Sequence, residues 1–311
     1  MNKPDELVKR ALSRRMFVAG MGSTAGAAAL FAATGCGSSG GPTTTAPTPP
    51  QSTTVTDADI LNFALNLEYL EAEFYLRATT GQGLSSTDAG SGAGSVSGGT
   101  TAVPFKTPAI QQYANEIAAD ELAHVRFLRS ALGSAAVSRP SIDLMTSFSN
   151  AATAAGIANG STFSPFADED SFLLGAFIFE DVGVTAYHGA ASLLSSKTYL
   201  AAAAGIYATE AYHAGTIRTL ITQLGDPYLS IANQIEALRS AASLAGGSTA
   251  AETTLAANAI VAADSNSIAF DRTTNQVLHI VYLDASMNSV NQGGFFPTGL
   301  NGTITTTSAA S

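Results

Sequence analysis

Between residues 57 and 225 apolar side chains recur with a helical period, and four long stretches carry the pattern. The first, "ILNFALNLEYLEAEFYLRATTG", is apolar almost all round and follows Thr56 and Asp59, which read as a capping box. The second, "TPAIQQYANEIAADELAHVRFLRSALG", has Thr107 as its expected N-cap, Pro108 at the first helical position and Gly133 at its end. A third helix is expected from about Asp170 to Leu194. A fourth is expected from about Thr198 to Leu224, before the stop at Gly225, Asp226 and Pro227. Residues 81 to 103 show no period and read as a flap or an insertion. Residues 134 to 169 are long enough to cross the length of a bundle. The pattern predicts an all-α fold, a four-helix bundle over 56–225 with one long crossover.

Polar residues then sort by face. Asp59, Asn62, Asn66, Glu73 and Arg77 form one stripe of the first helix, which makes Glu73 a solvated residue. On the stripe Leu61, Leu65, Glu68, Ala72 and Tyr75 the misfit is Glu68. Glu71 also interrupts an apolar stripe, beside Leu67 and Phe74, and stays open as an alternative to it. In the third helix Glu180 lies among Leu173, Phe177, Val184 and Tyr187. In the second and fourth, Glu121 with His124 and Glu210 with His213 stand three residues apart, on one face in each case. With 11 Glu and four His in 311 residues, chance supplies about 0.14 such pairs. There are two.

The order along the chain is Glu-x6-Tyr, Glu-x-x-His, Glu-x6-Tyr, Glu-x-x-His. Glu68 to Glu121 is 53 residues and Glu180 to Glu210 is 30, a difference of 23, which is the length of Gly81–Val103. The chain therefore reads as a duplicated helical hairpin with an insertion in its first copy.

Four carboxylates facing one apolar core repel each other and lose solvation, a cost of several kcal/mol per uncompensated ion. Two divalent cations would balance them, with two imidazoles completing the donor set. The pattern resembles the di-iron or di-manganese carboxylate site of the ferritin-like superfamily. "NLEYLEAEFY" resembles the first helix of ferritins, and "ATEAYHAGTIR" the fourth helix of the bacterioferritin and rubrerythrin type. With the ending "GGFFPTGLNG" the chain is similar to exported, desiccation-related ferritin-like proteins. The resemblance implies a ferritin-like four-helix bundle with two iron or manganese ions held by Glu68, Glu121, His124, Glu180, Glu210 and His213. Glu121 and Glu210 would bridge. Tyr75 and Tyr187 would be catalytic-site residues, as hydrogen-bond donors or radical traps. His188 falls on a polar stripe and reads as an outer or surface residue, and His279 in "VLHIVYL" as a packing histidine. Two functions follow: a redox protein acting on dioxygen or peroxide, or a non-enzymatic stress or metal-sequestering protein. A set of polar pairs that merely braces the bundle is the third reading.

The ends change the setting. "SRRMFVAG" and the apolar run from Met16 to Ala33 resemble a twin-arginine export signal, with an N-terminal membrane anchor as the alternative. Cys36, the one cysteine, follows small residues as in a lipoprotein cleavage box. Residues 37–55 are a Pro/Thr/Ser/Gly spacer with too few apolar groups to fold. The expected location is thus outside the bacterial inner membrane, periplasmic or envelope-bound, with the membrane touched only through a lipid on Cys36. Net charge is -10 overall; the first 36 residues hold five of the 14 basic and two of the 24 acidic groups, which leaves -13 for the rest. That charge excludes nucleic acid as an expected partner. A homo-oligomer stays open. Residues 226–311 read as a partly helical extension, with 303–311 expected to be disordered.

Overall fold

The computed structural model describes residues 55–247, 254–257, 259–286 and 288–308. The expected export signal, Cys36 and the expected spacer as far as residue 54 lie outside the described residues. The described chain contains eight α-helices: α1 (Asp57–Thr80), α2 (Ser86–Ala89), α3 (Pro108–Leu132), α4 (Thr146–Ala154), α5 (Glu169–Ala191), α6 (Lys197–Leu224), α7 (Tyr228–Ala245) and α8 (Thr274–Val281). Four of these, α1, α3, α5 and α6, are the long helices that the period predicts. They form two hairpins, α1 with α3 and α5 with α6, and α4 lies in the crossover between them.

The helix starts show why these segments fold as they do. Thr56 accepts from the Asp59 amide while the Asp59 carboxylate accepts from the Thr56 amide, a complete capping box. Thr107 caps differently from expectation: its side chain makes no capping bond. The Glu169 carboxylate at the start of α5 accepts instead from the Lys106 and Thr107 amides, both at 2.8 Å. Asp57 at the start of α1 does the same for α6, accepting from the Ser195 amide at 2.9 Å and the Ser196 amide at 2.8 Å. Glu169 is to Asp57 what Glu180 is to Glu68, a step of 112 residues in both cases. Each hairpin therefore clasps the second helix of the other, across a pseudo-twofold axis.

The insertion is ordered. Ser85 caps α2, and Val96–Ser97 (β1) pairs in parallel with Ile142–Asp143 (β2) of the crossover. Asp88 accepts two bonds from Arg126 of α3, at 2.8 and 3.0 Å. This layer covers the polar stripe of α1, so Glu73 is not solvated: it is fully buried, with Arg77 at 2.8 Å and Arg139 of the crossover as its cations. A helical period identifies a polar face; it does not say whether water or a charged loop will meet it.

The rest of that stripe meets the C-terminal segment. Asn66, fully buried, donates to the Asn301 carbonyl at 2.8 Å and accepts from the Asn301 amide at 3.0 Å, and Thr303 donates to Asp59. Phe295 and Phe296 are buried as well, each contributing roughly 1.5–3 kcal/mol. Residues 303–308 are thus strapped down rather than disordered, since the Val290 amide also donates to the Thr307 hydroxyl at 2.8 Å and Tyr282 donates to the Thr305 carbonyl at 2.7 Å.

The extension docks through an ionic layer on the outer side of α5. Asp181 accepts from Arg218 of α6 at 2.6 Å and from Arg239 of α7 at 2.7 Å, and Arg272 donates to Thr185 and Ser243, both at 2.8 Å. His188 belongs here, half-buried with Nδ1 at 3.2 Å from the Phe270 carbonyl. His279 is fully buried between the carbonyls of Asp284 and Ser308, a packing histidine. No described helix is long and apolar enough to cross a membrane.

Candidate metal centre

The face rule of an α-helix points Glu68 (α1), Glu121 and His124 (α3), Glu180 (α5), and Glu210 and His213 (α6) at one another, and the fold brings all six together. Glu68, Glu121 and Glu210 are fully buried, Glu180 is 1% exposed, and the two histidines are buried. The six form two groups of four, each with donor atoms within 4.8 Å: Glu68, Glu121, His124, Glu210, and Glu121, Glu180, Glu210, His213. Glu121 and Glu210 belong to both. Glu121 divides its oxygens, Oε2 standing 3.5 Å from His124 Nδ1 and Oε1 3.1 Å from His213 Nδ1. His124 Nδ1 lies 3.2 Å from Glu68 and 3.4 Å from Glu210, and His213 Nδ1 lies 3.5 Å from Glu180.

Apart from the His124–Glu68 hydrogen bond, these separations fit metal ligation better than hydrogen bonding. Both Glu121 oxygens, both Glu210 oxygens, Glu180 Oε2 and His213 Nδ1 are buried without a hydrogen-bond partner, although neighbours stand near them. They are close but not aligned, as donors facing one common point are. Two donors sharing an ion at about 2.1 Å stand about 3.0–3.4 Å apart for octahedral to tetrahedral angles. Nitrogen and carboxylate oxygen in this mixture suit iron, manganese or zinc rather than calcium.

A family profile described as a ferritin-like domain matches residues 56–223. The chain belongs to the ferritin-like domain family. Among curated relatives, the desiccation-related protein PCC13-62 of Craterostigma plantagineum is 32% identical over 243 residues, 71% of this chain and 76% of that protein. The ferritin-like catalase Nec2 of Nesocodon mauritianus is 28% identical over 267 residues, 80% of this chain and 84% of that protein.

In this ferritin-like chain the electrostatics are those of crowded acids. Burial pushes the Glu68 carboxyl up to about 7 against the pull of His124. Burial also raises Glu180, and burial with repulsion from Glu121 raises Glu210 well above the carboxylate range. For Glu121 burial again acts upward, but contacts with His124 and His213 prevail and bring it down to about 2. The rings answer in kind: burial would lower them, yet Glu180 and Glu121 raise His213 to about 12, and Glu68 leads the groups that raise His124. Without cations, protons do the neutralising.

The tyrosines are crossed. Tyr75 of α1 donates to Glu180 of α5, and Tyr187 of α5 donates to Glu68 of α1. Burial, then the adjacent carboxylate, lifts both phenols well above their usual range, so both stay protonated.

Two residues enter the site that the repeat pattern does not select. Glu71, left open as the alternative to Glu68, is a fifth buried carboxyl, raised by burial and then by Glu210; of the two, the four-donor groups contain Glu68 and not Glu71. Its counterpart 112 residues on is Gly183. A Cβ there would sit 2.5 Å from Glu210 Oε2 and 3.1 Å from Glu71 Oε1, so the missing side chain is what admits both acids. Asp120 is the other, its Oδ2 3.3 Å from His213 Nε2. Laying one hairpin on the other residue by residue would have exposed both, because each is a place where the copies disagree.

Proposed function

We propose that this ferritin-like chain holds two redox-active divalent ions, iron or manganese, and reacts with dioxygen or peroxide in protection of the cell envelope under stress. The observation that carries the reading is the pair of four-donor groups sharing Glu121 and Glu210, with buried oxygens that no hydrogen bond satisfies. Glu68 and His124 would complete one ion's ligands, Glu180 and His213 the other's, and Glu121 and Glu210 would bridge. Ions so held would supply electron exchange with dioxygen or peroxide.

The protein's own groups do the rest. The crossed Tyr75 and Tyr187 hydroxyls fix the orientation of Glu180 and Glu68 and keep O–H bonds beside the centre. Phe74 and Phe172 pack edge-on against Tyr75, with ring centroids at 5.0 and 5.7 Å, and keep that flank of the centre apolar, which strengthens the charge interactions beside it. The name of the Nesocodon relative supports a catalase-like reaction, and that of the Craterostigma relative a role in drying stress. Export by the twin-arginine route, with lipid on Cys36, rests on the sequence of the first 36 residues and is part of the proposal.

The test is metal content after purification from a host supplied with iron and manganese, repeated on Glu121→Ala and His213→Ala. Folded wild-type protein is expected to carry about two ions per chain and each variant fewer. Well-folded protein without metal would sink the redox reading and favour the non-enzymatic one. Oxygen release from peroxide, with and without an electron donor, then separates catalase from peroxidase chemistry. Equal export of an Arg14→Lys, Arg15→Lys double variant would remove the export proposal.

A further inference from the structure

The pseudo-twofold relation is close to complete at the centre. A step of 112 residues carries Asp57, Glu68 and Tyr75 onto Glu169, Glu180 and Tyr187, and a step of 89 carries Thr107, Glu121 and His124 onto Ser196, Glu210 and His213. The clasps and the crossed tyrosine bonds obey the same relation. A symmetric centre would hold its two ions equally.

The symmetry fails at the residue before each paired glutamate, Asp120 in one copy and Thr209 in the other. Asp120 Oδ2 lies 3.3 Å from Nε2 of His213, whose Nδ1 faces Glu121 and Glu180. A carboxylate there holds the proton on Nε2, orients the ring and leaves Nδ1 as the donor. Thr209 spends its hydroxyl on the Gly205 carbonyl, at 3.3 Å within its own helix. Among the described residues Nε2 of His124 has no counterpart to Asp120, and its ring is fixed only from the site side, through Nδ1 to Glu68 at 3.2 Å.

We infer that the two halves of the centre are unequal and fill in order, the Glu180/His213 half first and the Glu68/His124 half second. The inference rests on the metal-centre reading. Asp120 acts as a positioning residue, through His213. An outer carboxylate of this kind is worth about 10–100-fold in metal affinity; the Asp120 side chain is 42% exposed, which sets the lower part of that range. The second ion meets the charge of the first across shared Glu121 and Glu210, which widens the gap. The product is a one-ion state with a firmly held ion in one half and an exchangeable position in the other.

The experiment uses the full chain, stripped of metal, with Mn2+ alone as the probe. One equivalent is added, and anomalous scattering from crystals locates it; calorimetry gives both affinities. Wild type is expected to show density in the Glu180/His213 half and two affinities separated by about tenfold or more. Asp120→Asn is expected to weaken the first affinity by about tenfold and erase the order, and Thr209→Asp to tighten the second. A purely structural role for Asp120 would lower the melting temperature without moving the occupancy. Density shared equally, or in the Glu68/His124 half, overturns the inference while leaving the two-ion centre intact; the second outcome would mean that Glu71 outweighs Asp120. No Mn2+ bound by folded protein overturns the metal-centre reading with it.

Discussion

Loading the metal-free protein releases protons, and the site determines how many. In the metal-free chain His213 stands at about 12 and His124 is raised too, because the surrounding carboxylates overcome the burial that opposes them. Both rings are therefore cationic at neutral pH. A ring that gives its lone pair to an ion loses that proton, so filling both halves expels at least about two protons per chain. Glu210, raised well above the carboxylate range, gives up a further proton as a ligand, and Glu68, pushed by burial to about 7, adds part of another. Each proton is worth about 1.4 kcal/mol per pH unit, so the overall association constant rises at least about a hundredfold per unit between pH 6 and 8. Metal-free stability runs the other way. A histidine raised from 6.5 to about 12 contributes stability that is complete below pH 6.5 and is lost as pH rises through 12. Glu68, raised from 4.5 to about 7, loses its contribution as pH rises through 7. Calorimetric titration with Mn2+ in two buffers of different ionisation enthalpy counts the protons, and melting curves with and without Mn2+ at pH 6, 7 and 8 give the second slope. The metal-induced shift in melting temperature widens with pH if the reasoning holds. A binding constant that does not change across that window, or a metal-free protein that becomes more stable with rising pH, would refute it.

Three further outcomes follow from particular contacts. Asp181→Ala removes the anion shared by buried Arg218 and Arg239 and costs about 3–5 kcal/mol, read as a lower denaturant midpoint at constant slope. Gly183→Ala drives a Cβ to 2.5 Å from Glu210 Oε2, so it reduces retained metal, whereas Gly205→Ala meets nothing within 4 Å and raises stability by up to about 1 kcal/mol; equal metal content in the two would contradict this account. Tyr75→Phe takes the O–H from Glu180 and Tyr187→Phe takes it from Glu68. Each is expected to loosen metal in its own half, by about three- to tenfold for one hydrogen bond, and anomalous scattering at partial loading reports which half has emptied.

Much of this centre was legible because its residues violate a pattern. Glu68, Glu121, Glu180 and Glu210 stand on apolar stripes, and the hairpin repeat ties them together. The all-α bundle followed from the same period. Glu73 shows the limit, since a period reports a polar face and not the arginine that a crossover 66 residues away brings to it. Thr107 does stand at the N-cap of α3, with Pro108 behind it, yet the bonds to the amides there come from a carboxylate of the opposite hairpin, which a local pattern does not report. Asp120 was hidden by its neighbour, because the Glu-x-x-His spacing draws the eye to Glu121. The strap over α1 was invisible from local pattern, as its partners lie 235 residues apart.

That strap bears on how the protein is made. During synthesis Asp59 and Asn66 emerge early, while Asn301 and Thr303 follow only after all four long helices have left the ribosome, so this seam on α1 stays open to water until they emerge. Pairings this distant in sequence close slowly, after local helices have formed. The nascent bundle therefore exists for a time as a finished set of helices with an unsealed flank, and chaperones, proteases and competing chains all have their access during that interval.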